Sequence, residues 1–373
     1  MYRVLVINPG STSTKLAVFE DNKEAAKINI DIPREAVMAA ENILDQLPAR
    51  NEQVKKFLTD NGYKLDDFDM IAARGGMLPP CTGGAYAVNG HMKDVIRYAP
   101  LAEHASNLAC LMADAVSEGK VPCIIYDPLT VDELNPIAKY TGLPDVKIQS
   151  VTHVLNSRRV ARTSAQEHGE VFEDNNYIVV HMGGGVSINA YERGKLVDML
   201  CTAMGPMSPE RAGGLPTKEV AKICFSGKYT HGEVIDLLTK KGGFYAYFGT
   251  SDARDVKKLA DEGDKLAQDV IAAFNYQITK GIGEMYAAMG CDVAAIVYTG
   301  GMAHNEAFVA PSADKVRKMA RIDIYPGEEE MAALAQGALR VLQGKEQAKE
   351  FTALPVKFKT REEFDVFLRE KKK

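Results

Sequence analysis

One pattern, strand, hydroxyl-rich tight turn, strand, occurs twice about a domain length apart, and it restricts the chain to a small set of folds. In residues 4–19, the apolar runs Val4 to Ile7 and Leu16 to Phe19 have the composition of buried strands and flank Pro9, Gly10, Ser11, Thr12, Ser13 and Thr14. In residues 177–191 the same order returns around Gly183, Gly184, Gly185 and Ser187. Turns built from glycine and small hydroxylated residues present amides and hydroxyls to an anion, as a backbone nest does. A third apolar run, Val297 and Tyr298, leads through Thr299, Gly300 and Gly301 toward Asn305, a strand–glycine–helix order that brings backbone close to a nucleotide. The pattern predicts an α/β protein of two duplicated domains with a phosphate chain held in a cleft between them.

With 373 residues, 46% of them hydrophobic, the chain has enough apolar material for two cores. A net charge of −5 without a basic stripe argues against nucleic acid as partner. The six cysteines (81, 110, 123, 201, 224 and 291) form no Cys-x-x-Cys pair, the usage expected of reduced thiols in a cytoplasm. No apolar run approaches bilayer length, so no membrane partner is expected, and the apolar run ending at Asn8 is too short for a signal peptide. A G-x-x-x-x-G-K-[ST] loop is absent, so ATP binding requires another cradle.

In chain order, a charged helix is expected over 35–61. A strand at 70–73 then delivers Arg74, Gly75 and Gly76, where a guanidinium can hold a carboxylate or phosphate or make a structural ion pair. A helix over 103–117 precedes a strand ending in Asp127, a residue suited to a cation or to a turn before Pro128. A further strand is expected over 146–151, ending near His153, with a helix from 156. A meander over 177–182, 186–191 and 195–200 opens the second copy. It is followed by a Pro/Gly-rich loop to 217 that contains Arg211, a helix over 217–225, and a helical stretch from Asp252 to 289 broken near Gly281 and Gly283. Asp252 is a good N-cap by type. Glu328, Glu329 and Glu330 open a last helix at 331–342, and beyond 343 the remainder, highly charged apart from an amphipathic stretch at Phe358 to Leu368, has the composition of a surface appendage.

These segments, taken in order, resemble the acetate and butyrate kinase family within the sugar kinase, Hsp70 and actin superfamily. The likeness rests on residues 8–15, Arg74-Gly75-Gly76, Tyr126-Asp127-Pro128, His153 to Asn156, His181 to Ser187, Met204-Gly205-Pro206, residues 250–255, Thr299-Gly300-Gly301 and residues 325–330. It is closest in the butyrate branch, where the arginine adjoins the glycines.

The resemblance implies actin-like ATPase domains at 1–150 and 151–326, a helix at 327–343 returning to the first domain, and an appendage at 344–373. It implies reversible transfer of the ATP γ-phosphate to a short-chain carboxylic acid, with Arg74, Asp127, His153, Arg211 and Glu329 as catalytic residues; the superfamily also offers a sugar-type kinase with Asp127 as base, or an actin- or Hsp70-like ATPase, as alternatives. Mg²⁺ is implied on Asp127 and Glu329 with Asn8 in its outer shell, Glu328 and Glu330 remaining open as alternatives. ATP or ADP is implied on Asn8, Ser11, Thr12, Ser13, Lys15, His181, Gly183, Gly184, Gly185, Ser187, Asp252, Arg254, Gly300, Gly301 and Asn305, with Asp252 near the ribose and Arg254 against the base. A homo-oligomer is implied as well. The family's second histidine in the 153–161 stretch is Ser157 here, and its substrate arginine after the 204–206 motif is Met207.

Overall fold

In the computed structural model, which describes residues 1–33, 42–201 and 204–372, the chain divides into two compact units. Unit 1 comprises Met1–Asp132 and Glu329–Lys373, and unit 2 comprises Glu133–Glu328.

Unit 1 is built on a seven-stranded sheet. Its apolar first hairpin, β1 (Arg3–Pro9) and β2 (Ser13–Glu20), pairs antiparallel with Asn8 opposite Lys15, and β3 (Lys23–Asp31) continues the meander. On the other side of β1, β4 (Met70–Arg74) and β6 (Cys123–Tyr126) add in parallel. The edge carries β5 (Ala85–Ala87) and β12 (Lys349–Glu350). Every residue of β4 is buried, as expected of a parallel strand covered on both faces. Helix α1 (Leu47–Asp60) buries Val54, Phe57 and Leu58, α2 is Gly90–Tyr98, and α3 (Leu108–Ser117) is almost wholly buried.

Unit 2 repeats this order in five strands. The meander β7 (Asn176–Met182), β8 (Val186–Glu192) and β9 (Lys195–Cys201) is followed, beyond β7, by parallel β10 (Ala295–Gly300) and β11 (Arg321–Pro326). The run β3-β2-β1-β4-β6 of unit 1 and the run β9-β8-β7-β10-β11 of unit 2 have the same strand directions, which is the duplication expected from the two hairpins. Its helices are α4 (Val154–Glu167), α5 (Thr217–Cys224), α6 (His231–Thr239), α7 (Gly243–Phe248), α8 (Ala253–Asp261), α9 (Lys265–Ala288) and α10 (Ala310–Val316). Each unit has its own apolar core.

Several local expectations are corrected. The expected helix over 35–61 falls partly outside the described residues; what is described begins as a 3-10 turn at Ile43–Gln46. Residues 146–151 form no strand: the segment has only an isolated bridge, Tyr140 with Lys147, and Val146 and Val151 are exposed, so its apolar alternation has no sheet neighbour to satisfy. The 252–289 stretch breaks at Gly263, φ +96°, instead of at Gly281. Gly281 serves close packing: a Cβ there would lie 2.5 Å from Ile188 Cδ1 and 3.0 Å from Leu200 Cδ1. Residues 133–150 lie in unit 2, where Asn135 N donates to Val197 O and Glu133 pairs with Arg158.

The C-terminal segment is no detached appendage. After α11 (Glu330–Leu342), which packs on β1, β4 and β6, the chain adds β12 and α12 (Arg361–Lys371). Phe351, Phe364 and Leu368 are buried in the core of unit 1. Its amphipathic stretch carries an aromatic stripe, Phe358, Phe364 and Phe367, whose rings lie 5.1–6.3 Å apart.

Candidate functional site

In unit 1 the candidate side chains sit at strand ends. Asn8 closes β1 and donates Nδ2 to Glu330 Oε2 at 2.9 Å. Arg74 closes β4, is 5% exposed, and directs Nη2 to Glu330 Oε1 at 3.2 Å and Nη1 to the Asp127 carbonyl at 3.2 Å. Asp127 follows β6 and is buried, with φ +40°, a left-handed conformation that costs a non-glycine residue energy and persists where the surroundings enforce it. Gly84 enforces it from both sides: its N–H donates to Asp127 Oδ1 at 2.7 Å, and its carbonyl accepts from the Asp127 N–H at 3.2 Å. The 10–13 turn is closed by Gly10 N to Ser13 O at 2.8 Å, and Ser11, Thr12 and Lys15 stay exposed.

His104 was not singled out in the sequence. Although the residue is largely open at the surface, packing of its ring and the nearby positive Arg74 lower its pKa, while Glu330 opposes the shift. Its charge state is thus coupled electrostatically to Arg74 and Glu330. The one sequence signal was a polar His104-Ala105-Ser106-Asn107 run at the helix start, where His104 Nδ1 meets Ser106 Oγ at 2.7 Å.

Glu328 and Glu330 separate. Glu330 contacts Asn8 and Arg74, whereas Glu328 belongs to unit 2 and meets His181 Nε2 at 3.1 Å. Glu329 is the N-cap residue of α11. Among the described residues, no group of three His, Cys, Asp or Glu forms a metal cage. The donor chemistry of unit 1 nevertheless fits Mg²⁺, which takes one or two carboxylates and completes its shell with water and phosphate oxygens. Asp127, Glu329 and Asn8 are residues of the types such an ion takes, two carboxylates and a side-chain amide.

In unit 2, His153 stands at the start of α4 and His181 near the end of β7. Their rings stack at 4.1 Å with planes 10° apart. His153 Nδ1 lies 3.1 Å from Ser187 Oγ. His181 Nδ1 lies 3.1 Å from Asn156 Nδ2, a donor, so the tautomer that satisfies both sides carries its proton on Nε2, facing the Glu328 carboxylate. Ser157, at the position of the family's second histidine, bonds Tyr191 Oη at 2.7 Å and accepts from Asn189, a structural part. Arg211 spreads its guanidinium over Gly185, so any side chain at 185 would collide with it.

Beside this group lies a cavity of about 760 Å³, lined in part by Gly183, Gly184, Asp252, Arg254, Gly301 and Asn305. The capping oxygen of Asp252 accepts from Arg254 N at 2.9 Å, and the Arg254 side chain bonds both oxygens of Asp252, holding its carboxyl down at about 2. Gly300, φ +92°, lies flat on the Met182 backbone, leaving no room for a Cβ, and exchanges hydrogen bonds with Gly327 at 3.1 and 2.9 Å. Unit 2 thus assembles His153, His181, Gly183–Ser187, Arg211, Asp252, Arg254 and residues 300–305. Unit 1 assembles Asn8–Lys15, Arg74, Asp127 and the helix start at Glu329.

The fold defines an acetate-kinase-like α/β protein: a solved acetate kinase from Porphyromonas gingivalis superposes with a TM-score of 0.77 at 18% identity, covering 92% of this chain and all of that one. The chain belongs to the acetokinase family, whose model matches residues 149–364. Butyrate kinase 2 of Clostridium acetobutylicum is 42% identical over 353 residues, covering 94% of this chain and 99% of the relative. A probable butyrate kinase of Thermotoga petrophila is 41% identical over 358 residues, covering 95% and 99%.

Proposed function

We propose that this protein transfers the γ-phosphoryl group of ATP to the carboxylate of a short-chain fatty acid, butyrate or a branched acid of similar size, giving an acyl phosphate and ADP. The observation that supports it is the state of the unit 1 site: a buried Arg74 with Nε unpartnered among the described residues, next to an Asp127 whose Oδ1 is already engaged by Gly84 N. A carboxylate is ionised and nucleophilic at neutral pH, so its phosphorylation needs cations and alignment and no general base. An alcohol acceptor would need a carboxylate poised to take a proton.

The roles follow unit by unit. In unit 1, Arg74 orients the acid through its planar donors, and the 11–13 turn with Lys15 receives phosphate oxygens. Asp127 and Glu329 would hold Mg²⁺, with Asn8 as a further polar partner, and the ion would supply charge neutralisation for the phosphate chain. In unit 2, the 183–187 turn offers amides and the Ser187 hydroxyl, and His153 and Arg211 donate to phosphoryl oxygens as charge develops in the transfer. The cavity beside Asp252 and Asn305 takes the adenosine. The proposal includes a homo-oligomer and a cytoplasmic setting. The second agrees with six cysteines that are all free thiols. No helix among the described residues is long and apolar enough to cross a membrane.

The test is initial-rate kinetics with hydroxylamine trapping on acetate, propionate, butyrate, isobutyrate and isovalerate. One methylene is worth about 1–3 kcal/mol in such a pocket, so kcat/KM should peak at four carbons and fall about tenfold or more toward acetate. Absence of hydroxamate from every acid would overturn the proposal.

A further inference from the structure

The largest fully buried side chain is a cation, Arg50, with 0% exposure. It projects from the first turn of α1 beneath the 10–14 turn, and all five of its N–H groups are used. Nε and Nη2 donate to Gln46 Oε1 at 3.1 and 2.8 Å, and Nη2 also donates to the Gly10 carbonyl at 2.9 Å. Nη1 donates to the Ser13 carbonyl at 3.1 Å and to Thr14 Oγ1 at 3.2 Å. Thr14 in turn donates to Gln53 Oε1 at 3.0 Å. Gln46, Arg50 and Gln53 recur at i, i+4 and i+7, so one polar stripe of the chain entering α1 grips both ends of the turn.

Every one of those acceptors is neutral, and among the described residues no carboxylate pairs with Arg50. Burial lowers its pKa, yet a guanidinium starts so high that it stays charged. A buried charge satisfied in hydrogen bonds but not in charge is costly unless an anion arrives nearby. The turn it supports exposes Ser11 and Thr12 on its outer side.

We infer that Arg50 is a positioning residue for phosphate binding: it fixes the 10–14 turn through Gly10, Ser13 and Thr14, and its buried positive charge is complemented by the polyphosphate of the nucleotide. This rests on the proposed function, specifically on phosphate binding by that turn. A role confined to holding the fold would weaken all ligands alike. Charge complementation weakens them in proportion to their phosphate.

The experiment compares the wild-type protein with Arg50→Met, Arg50→Lys and a Ser11→Ala/Ser13→Ala double variant. It measures KM for ATP and for butyrate, and inhibition by ADP and by adenosine. Arg50→Met should raise the ATP KM and the ADP inhibition constant about tenfold or more, with adenosine inhibition and butyrate KM within about twofold of wild type. Arg50→Lys keeps the charge without the planar fork and should raise the ATP KM by about threefold or less. Equal weakening of ATP and adenosine, or an unchanged ATP KM in Arg50→Met, overturns the inference. If Arg50→Met does not fold, Arg50→Lys decides, parallel loss of ATP and adenosine again being the overturning result. The serine double variant separates the two possible failures. If it leaves the ATP KM unchanged, phosphate does not sit on this turn and both assignments fall; if it weakens ATP while Arg50→Met does not, only the inference about Arg50 falls.

Discussion

Replacing Gly337 by alanine should damage a site that Gly337 does not touch. Gly337 lies in the interior of α11, where it packs over β6, and an added Cβ would stand 2.7 Å from Tyr126 Cε2 and closer still to Cγ and Cδ2. Carbon atoms rest at about 3.5–4.0 Å, so the ring or the helix must yield by roughly 1 Å. The ring cannot turn away freely: Tyr126 is 2% exposed and its hydroxyl is tied to Glu346 Oε2 at 2.8 Å.

Overpacking of this kind costs about 1–3 kcal/mol, and the severity of the clash selects the upper end. Exchange of glycine for alanine in a helix returns about 1 kcal/mol, leaving a net loss of about 2 kcal/mol. For a cooperative unit of this size that lowers the unfolding midpoint of unit 1 by about 4–8 °C. Tyr126 directly precedes Asp127, and a misplacement of about 1 Å costs up to about a hundredfold in rate, so kcat should fall roughly ten- to a hundredfold. The ADP dissociation constant, which on the proposed function depends on the 10–14 turn and the unit 2 cavity and not on the Tyr126 ring, should stay within about twofold. Gly283→Ala is the control: a Cβ at that position in α9 meets nothing within 4 Å, and the variant should gain up to about 1 kcal/mol. Calorimetry and the hydroxamate assay read both effects. A Gly337→Ala protein as stable as wild type, or one with kcat within twofold of it, would refute the reasoning.

Other outcomes follow from the same geometry. Arg74→Ala and His153→Ala should each lower kcat by about a hundredfold or more in the hydroxamate assay, because each removes a preorganised donor. Glu330→Gln should weaken the grip on Asn8 and Arg74 and raise the butyrate KM, whereas Glu329→Gln should shift the Mg²⁺ concentration for half-maximal rate; titrating both ligands in both variants separates the roles. Glu170, bonded to Arg321 at 2.8 and 3.0 Å and to the Tyr177 hydroxyl, has its pKa lowered from 4.5 to about 2. The native state therefore favours the ionised form, so its stabilisation is complete above pH 4.5 and is lost as pH falls toward 2. Glu170→Gln should be less stable than wild type at pH 6, and the gap should close across that window in chemical denaturation.

The duplicated hairpins, the parallel strand after each and the glycine turns were legible because local pattern alone dictates them: two buried apolar runs around a turn have few other solutions. Arg74, Asp127 and His153 were legible as polar residues ending apolar strands or opening helices. Arg50 and His104 were not, since nothing nearby in sequence announces that a helix residue will turn inward under a loop 36 to 40 positions earlier, or that His104 will be coupled electrostatically to Arg74. For residues 344–373 the sequence shows an amphipathic stretch at Phe358 to Leu368 but not what it packs on, and the burial of Phe351, Phe364 and Leu368 depends on tertiary packing. Propensity marks Gly281 as a helix break because it sees flexibility where packing needs absence of a side chain.

Because unit 1 joins residues 1–132 to residues 329–373, its sheet and core cannot be completed until the segment carrying Phe351 and α12 has been translated. The stretch from Glu133 to Glu328 emerges whole and can reach its final form on the ribosome. The amino-terminal third must wait for Phe351 and α12 to follow it out of the exit tunnel. A stop codon before Phe351 would therefore disable the part of the molecule that was translated first.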